Sequence, residues 1–272
     1  MSERLIYLPL GGAGEIGMNA YVYGYGPAGR ERLILVDLGV TFGDMDSAPG
    51  IDLIMPDVRW LEDNRDRLEA IFITHGHEDH VGALGLLWNR LRAPVYTRRF
   101  TGALARMKME EAGQPVDKLR VVSARPEVVE AGPFRVQFVS VSHSIPESAA
   151  LIIDTPAGRI VHSGDFKLDG TPVVGEAFDP ILFHEIANER PVKVLAWAHT
   201  NGSGIVVGGR SGIADFKGLA GKRVAVPYWY SMHNVVLQYA LRESGVTPVI
   251  RGEAGAGECA LQILPPPEMP AA

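Results

Sequence analysis

The chain has 272 residues, 46% of them hydrophobic and 21% charged, which suits a soluble globular protein able to bury a core. Its formal charge of −6 is uneven: residues 197–272 carry six basic against five acidic side chains, so residues 1–196 sum to −7. That balance excludes a non-specific polyanion binder working through overall charge, and a single cysteine, Cys259, excludes an intrachain disulfide or a cysteine-based zinc site.

The first segment, "MSERLIYLPLGG", has no long apolar stretch or small-residue cleavage pattern, and no run approaches a membrane span. A cytoplasmic location is expected. "LIYLPL" leads into "GGAGEIGMN", where Gly12, Gly14 and Gly17 keep the spacing of a dinucleotide-binding loop and Asp37 comes twenty residues after Gly17. That loop needs a helix behind it to receive phosphate. The next segment, "NAYVYGYGPAGRERL", is rich in aromatic and β-branched residues and broken by Gly24, Gly26 and Pro27, so it predicts a strand and a turn. The dinucleotide reading fails on context.

"RLILVDLG" and "LEAIFITHGH" each drive an apolar run into a polar tip, and "MPDVRWLEDNRDRL" between them predicts a short amphipathic helix with Pro56 near its start. A second helix is expected over 81–91. "PVYT", "RVVS", "PFRVQFVSVSH", "AALIIDT", "GRIVHSGD" and "PVKVLAWAH" are strand-like, giving an α/β class. Residues 90–120 hold eight basic side chains against three acids, a stretch better read as a solvated helix face than as a guide for nucleic-acid backbone.

The strongest chemical signal is "THGHEDH", with His75, His77, Asp79 and His80 between an apolar strand and a helix. Imidazole and carboxylate at this density suit zinc or a neighbouring transition metal, and the spacing sends side chains two ways, so one loop can serve two ions. His143 in "VSVSHSIPES" and Asp165 in "IVHSGDFK" each come after a strand and extend the set.

Together with "LPLGGAGEIGMN" and "LVDLG", these motifs over residues 5–196 resemble the metallo-β-lactamase superfamily, within it the β-CASP nucleases of ribonuclease J type. The resemblance implies an αββα sandwich, incomplete because no β-CASP domain is present, with a short α/β C-terminal segment after it. It implies that His75, His77 and His143 hold one divalent metal and that Asp79 and His80 hold a second. Asp165 would bridge them, and Asp37 would orient the cluster from behind. Two ions, zinc or alternatively manganese, would serve a hydrolase in which Asp79 and Asp165 are the catalytic carboxylates. The glycine loop would lie on the rim of that centre. The implied partner is RNA, cut internally and from a 5′ end, with activity weakened where the β-CASP and later parts are absent; assembly into a homo-oligomer is compatible with this reading.

After "VKVLAWAHTNG" the acidic motif of that family is missing, and the ligand that completes the second metal with it. His199 is a weak candidate to substitute. Residues 197–272, with "GIADFKGLAGKRVAVP" and "NVVLQYALRESGV", resemble instead part of a nitrate/sulfonate-type ABC-transporter substrate-binding protein. The domains expected are therefore 1–196 and 197–272. Two further functions stay open: a hydrolase of a small substrate or an inactive fusion remnant, and an oxyanion- or sulfonate-binding module resting on the C-terminal segment.

Overall fold

The computed structural model describes residues 3–14, 16–43, 48–190, 212–226, 232–250 and 252–263. The chain divides into two compact units, residues 1–200 and 201–272.

In the first unit β1 (Glu3–Gly11), β2 (Ala20–Pro27), β3 (Arg32–Val36), β4 (Leu68–Ile73), β5 (Val95–Thr97) and β6 (Leu119–Val121) form one sheet in chain order. The first three strands run antiparallel, and β3 to β6 run parallel. The glycine loop thus joins β1 to an antiparallel β2 and opens no helix. The parallel half needs crossovers, supplied by α1 (Arg59–Asp63), α2 (Glu78–Val81), α3 (Leu84–Leu91) and α4 (Arg99–Glu111). The helix expected over 81–91 is broken at Gly82–Ala83 into α2 and α3. The helix expected between β3 and β4 is only five residues long and passes into a 3-10 turn at Arg65–Arg67.

A second sheet is antiparallel, in the order β10–β9–β8–β7, from β7 (Val129–Ala131), β8 (Phe134–Ser140), β9 (Ala149–Thr155) and β10 (Gly158–His162). Side-chain alternation along the strands sets the layers. Ile34, Val36, Ala70 and Phe72 turn toward Phe134, Val136, Phe138, Leu151 and Ile153, forming the core between the sheets. Their neighbours Leu33, Leu35, Ile71 and Ile73 turn the other way, onto Leu61, Leu84, Trp88, Leu91 and Met109 of the helices. On the far side of the second sheet, Val139, Ala150 and Ile152 pack against Ile186 of α5 (Pro180–Glu189). Asp179 caps α5 by accepting the Ile181 and Leu182 amides, with Pro180 in the first turn. The layers are αββα.

In the second unit β11 (Lys222–Val226), β13 (Glu258–Ile263) and β12 (Thr247–Val249) form a parallel sheet in that order, with α6 (Met232–Glu243) as a crossover. Its core is Leu219, Val226, Leu237, Leu241, Val246 and Leu261 around the buried Cys259.

Candidate metal centre

The candidate residues gather where strands of both sheets end. Asp37 comes directly after β3, Thr74 and His75 after β4, and His77 to His80 lead into α2. His143 and Asp165 lie beyond β8 and β10. Asp37 takes a left-handed backbone (φ 62°), which an Asp tolerates better than most residues. Its amide donates to the Phe72 carbonyl at 2.8 Å, and its side chain turns under the histidine loop, fully buried.

That carboxylate organises two imidazoles. It accepts from the Thr74 amide at 2.8 Å, the Thr74 hydroxyl at 2.9 Å and His80 Nδ1 at 2.8 Å. A carboxylate can only accept, so His80 carries a proton on Nδ1 and turns Nε2 toward the centre. The Thr74 hydroxyl, having given its own hydrogen to Asp37, receives one from His75 Nδ1 at 3.0 Å. His75 therefore also presents Nε2 inward. Polar groups behind the cluster thus fix the orientation of both rings.

In front of them, His75 Nε2 lies 3.1 Å from His77 Nδ1, which lies 3.2 Å from His143 Nε2. Burial lowers the His75 pKa to about 2, helped by the charge of His80, and lowers that of His143 to about 4; His77 is lowered by burial too. Three neutral imidazoles thus point ring nitrogens at one another, while Nδ1 of His143 is buried without a hydrogen bond. Nitrogens held about 2.0–2.1 Å from one tetrahedral zinc stand about 3.3 Å apart, so the donor set fits such an ion.

A second group joins His75, His80 and Asp165, whose ligand atoms lie within 4.8 Å of one another, as do those of His75, His77 and His143. The Asp165 oxygens face both groups: Oδ1 is 3.6 Å from His80 Nε2 and Oδ2 is 3.9 Å from His143 Nε2. Asp79 Oδ2 is 3.5 Å from His80 Nε2. Burial alone would lower the His80 pKa, but the charge of Asp37 and the bonds to Asp165, Asp37 and Asp79 lift it well above the ordinary value. Burial would conversely raise Asp165, and its hydrogen bond and attraction to His80 take it well below the carboxylate range.

Three side chains that the sequence pattern did not single out belong to this centre: Thr74, Asn19 and Tyr21. Asn19, at the end of the glycine loop, reaches Asp79 and His80, and Tyr21 donates to its Oδ1 at 2.7 Å. The glycines bring that loop in. Gly12 (φ 81°) lies so close that a β-carbon would meet the Tyr21 hydroxyl at 2.3 Å and Asn19 Oδ1 at 2.4 Å. Main-chain bonds then weave three loops together: Asn19 to Asp79, Gly39 to Asn19, Leu38 to His80, Val40 to Glu78 and Met18 to Val40.

His199 lies outside the described residues. His162 is engaged elsewhere, 3.0 Å from the Tyr23 hydroxyl, and His184 is exposed on α5. In the basic stretch, Arg90 pairs with Glu62, Arg98 with Glu147, Arg106 with Glu110, Lys108 with Glu78 and Lys118 with Asp117. Most of its charge is thereby balanced locally.

Residues 13–208 match the family model described as the metallo-beta-lactamase superfamily. The chain belongs to that superfamily. Its match continues past the boundary expected at residue 196. Among curated proteins, the chain is 45% identical over 192 residues to Ribonuclease J of Sinorhizobium meliloti, covering 69% of this chain and 33% of that protein. It is 40% identical over 180 residues to Ribonuclease J of a Synechocystis species, covering 65% and 27%. With Ribonuclease J of Corynebacterium glutamicum the identity is 44% over 171 residues, covering 62% and 23%. The chain spans about a third or less of the length of these relatives. Among the described residues, no helix is long and apolar enough to cross a membrane.

Proposed function

We propose that this chain is a metal-dependent hydrolase of ribonuclease J type, acting on RNA phosphodiester bonds. The observation that carries the reading is the convergence of neutral His75, His77 and His143 nitrogens beside a second group built from His80 and Asp165. In this reading His75, His77 and His143 hold one divalent ion, Asp79 and His80 hold another, and Asp165 lies between them. Imidazole-rich coordination favours zinc, and the added carboxylates also admit manganese. Such ions supply Lewis acidity to a phosphoryl oxygen and bring the pKa of water toward neutrality.

The chain's own residues do the rest. Asp37 and Thr74 keep His75 and His80 Nε2 aimed inward, and the half-buried carboxylate of Asp165 faces both ligand groups. Asp79, one-third exposed, stands beside it with Oδ2 3.5 Å from His80 Nε2, as a ligand of the same ion requires. The names of the relatives support RNA as the substrate class. Cytoplasmic location, cutting internally or from a 5′ end, and assembly into a homo-oligomer belong to the same proposal, as does a functional boundary near residue 196.

The test is metal content together with cleavage of 5′-monophosphorylated RNA by the purified chain, alongside Asp79→Ala. Cleavage that needs zinc or manganese and disappears in the variant is expected; a metal-loaded wild-type chain that leaves RNA intact refutes the RNA reading. A second reading, hydrolysis of a small phosphodiester, draws on the local pairing of five of the eight 90–120 cations, which lowers the free charge there for a strand. Turnover of bis(p-nitrophenyl) phosphate without RNA binding would select it.

A further inference from the structure

The metal-ligand reading makes no use of Asn19, yet its amide nitrogen is 3.0 Å from His80 Nε2, nearer than the Asp79 carboxylate. The side chain is 5% exposed. Its Nδ2 lies 3.0 Å from the Asp79 carbonyl and 3.3 Å from Asp79 Oδ2, and its main-chain amide donates to the same carbonyl at 2.9 Å. Asn19 therefore grips Asp79 three times and touches His80 once.

The amide has a determined orientation. The Asp79 carbonyl and carboxylate can only accept, so Nδ2 faces them and Asn19 Oδ1 takes the hydrogen of the Tyr21 hydroxyl. Gly12 seals the outer side of this pair, leaving no room for a side chain there. The His80 ring is held at Nδ1 by Asp37, and Asn19 keeps the Asp79 carboxylate beside its Nε2.

We propose that Asn19, oriented by Tyr21, is a positioning residue that sets Asp79 beside His80 for uptake of the second divalent cation. This rests on the two-metal reading of the centre. Partners behind a ligand set are typically worth about 10–100-fold in metal affinity. The requirement is for an amide, because the Asp79 oxygens ask for a donor and the Tyr21 hydroxyl asks for an acceptor.

The metal-stripped chain, Asn19→Ala and Tyr21→Phe are titrated with Co2+, with heat and visible d–d absorption recorded for each equivalent. Wild type is expected to take up two ions. In Asn19→Ala the second binds about tenfold more weakly with altered d–d bands, while the first stays within about twofold. Tyr21→Phe shifts the second ion in the same direction by a smaller factor, because the amide is then free to turn over. Should Asn19→Ala fail to fold by circular dichroism, Tyr21→Phe alone decides. A second ion bound with wild-type affinity and spectrum in the folded variants overturns the inference, and so does tighter binding, which would make the amide a competitor of the cation. A wild-type chain that takes up only one ion instead refutes the two-metal reading, and this inference falls with it.

Discussion

His80 Nδ1 and Asp37 Oδ2 stand 2.8 Å apart with both side chains almost wholly buried, and the same carboxylate accepts from both the amide and the hydroxyl of Thr74. Removing it strands several buried donors at once. Asp37→Ala is expected to destabilise the first unit by about 3–5 kcal/mol, the range for breaking a buried charge pair. Urea titration of the metal-free protein measures this, and a loss under about 1 kcal/mol would contradict the role given to Asp37.

Acid acts on the other histidines. In the folded metal-free chain the pKa values of His75 and His143 are held down to about 2 and about 4, mainly by burial, and His77 is lowered as well. Above their unfolded value of about 6.5 neither state binds these protons. Below it the unfolded chain takes up protons that the folded centre refuses, so stability falls from pH 6.5 toward pH 4. His80 has the opposite shift, and its contribution is complete below pH 6.5 and lost only as pH rises through its raised folded value. Chemical denaturation in chelator across pH 7 to 4 should show the decline; a flat profile would count against neutral histidines.

Metal uptake should release protons unequally. His75, His77 and His143 are already neutral, whereas His80 is protonated and must give up its proton before Nε2 can ligate. At pH 6, below the range where a metal lowers water's pKa, calorimetry in two buffers of different ionisation enthalpy should find almost no proton released by the first ion. The second should release about one. Equal release at both steps would disprove this division of protonation.

Two glycines make a steric prediction. A β-carbon at Gly39 would lie 1.7 Å from the Asp79 carbonyl oxygen, against backbone that cannot swing aside. Gly39→Ala is expected to prevent folding of the first unit. Gly12→Ala meets side chains and a left-handed backbone, with a loss of about 1–3 kcal/mol. Thermal melts of the two variants test the order, and a Gly39→Ala chain melting like wild type would refute the close approach.

Much of this was legible in the sequence because strands ending in polar tips announce themselves. The run into "THGH" becomes β4, "AALIIDT" becomes β9 residue for residue, and the segment with Gly24 inside it and Pro27 at its end becomes strand β2 rather than a helix. Helix extents were harder. Gly82 interrupts a continuous apolar pattern, and α1 stops after five residues where its apolar stripe runs out. Histidine and aspartate spacing nominated the inward groups, since metal ligation has few solutions in so short a loop. Thr74 and Asn19 escaped because each is common in its local setting and meets its partner, Asp37 or Asp79, only through the tertiary fold; Tyr21 acts through Asn19, two positions away. Asn19 and Asp79 are sixty positions apart and meet through tertiary pairing alone.

That meeting reaches beyond ligand geometry. The amides of Met18, Asn19, Leu38, Gly39 and Val40 are all spent on bonds that interlock the glycine loop, the segment after β3 and the start of α2. No one of these segments can lift away without breaking bonds of the other two. Their amides should therefore exchange with deuterium as one cooperative block, at a rate set by a shared opening event. Local breathing is then a single gate for the whole assembly, and its frequency is inherited by any event that requires the histidine loop to move.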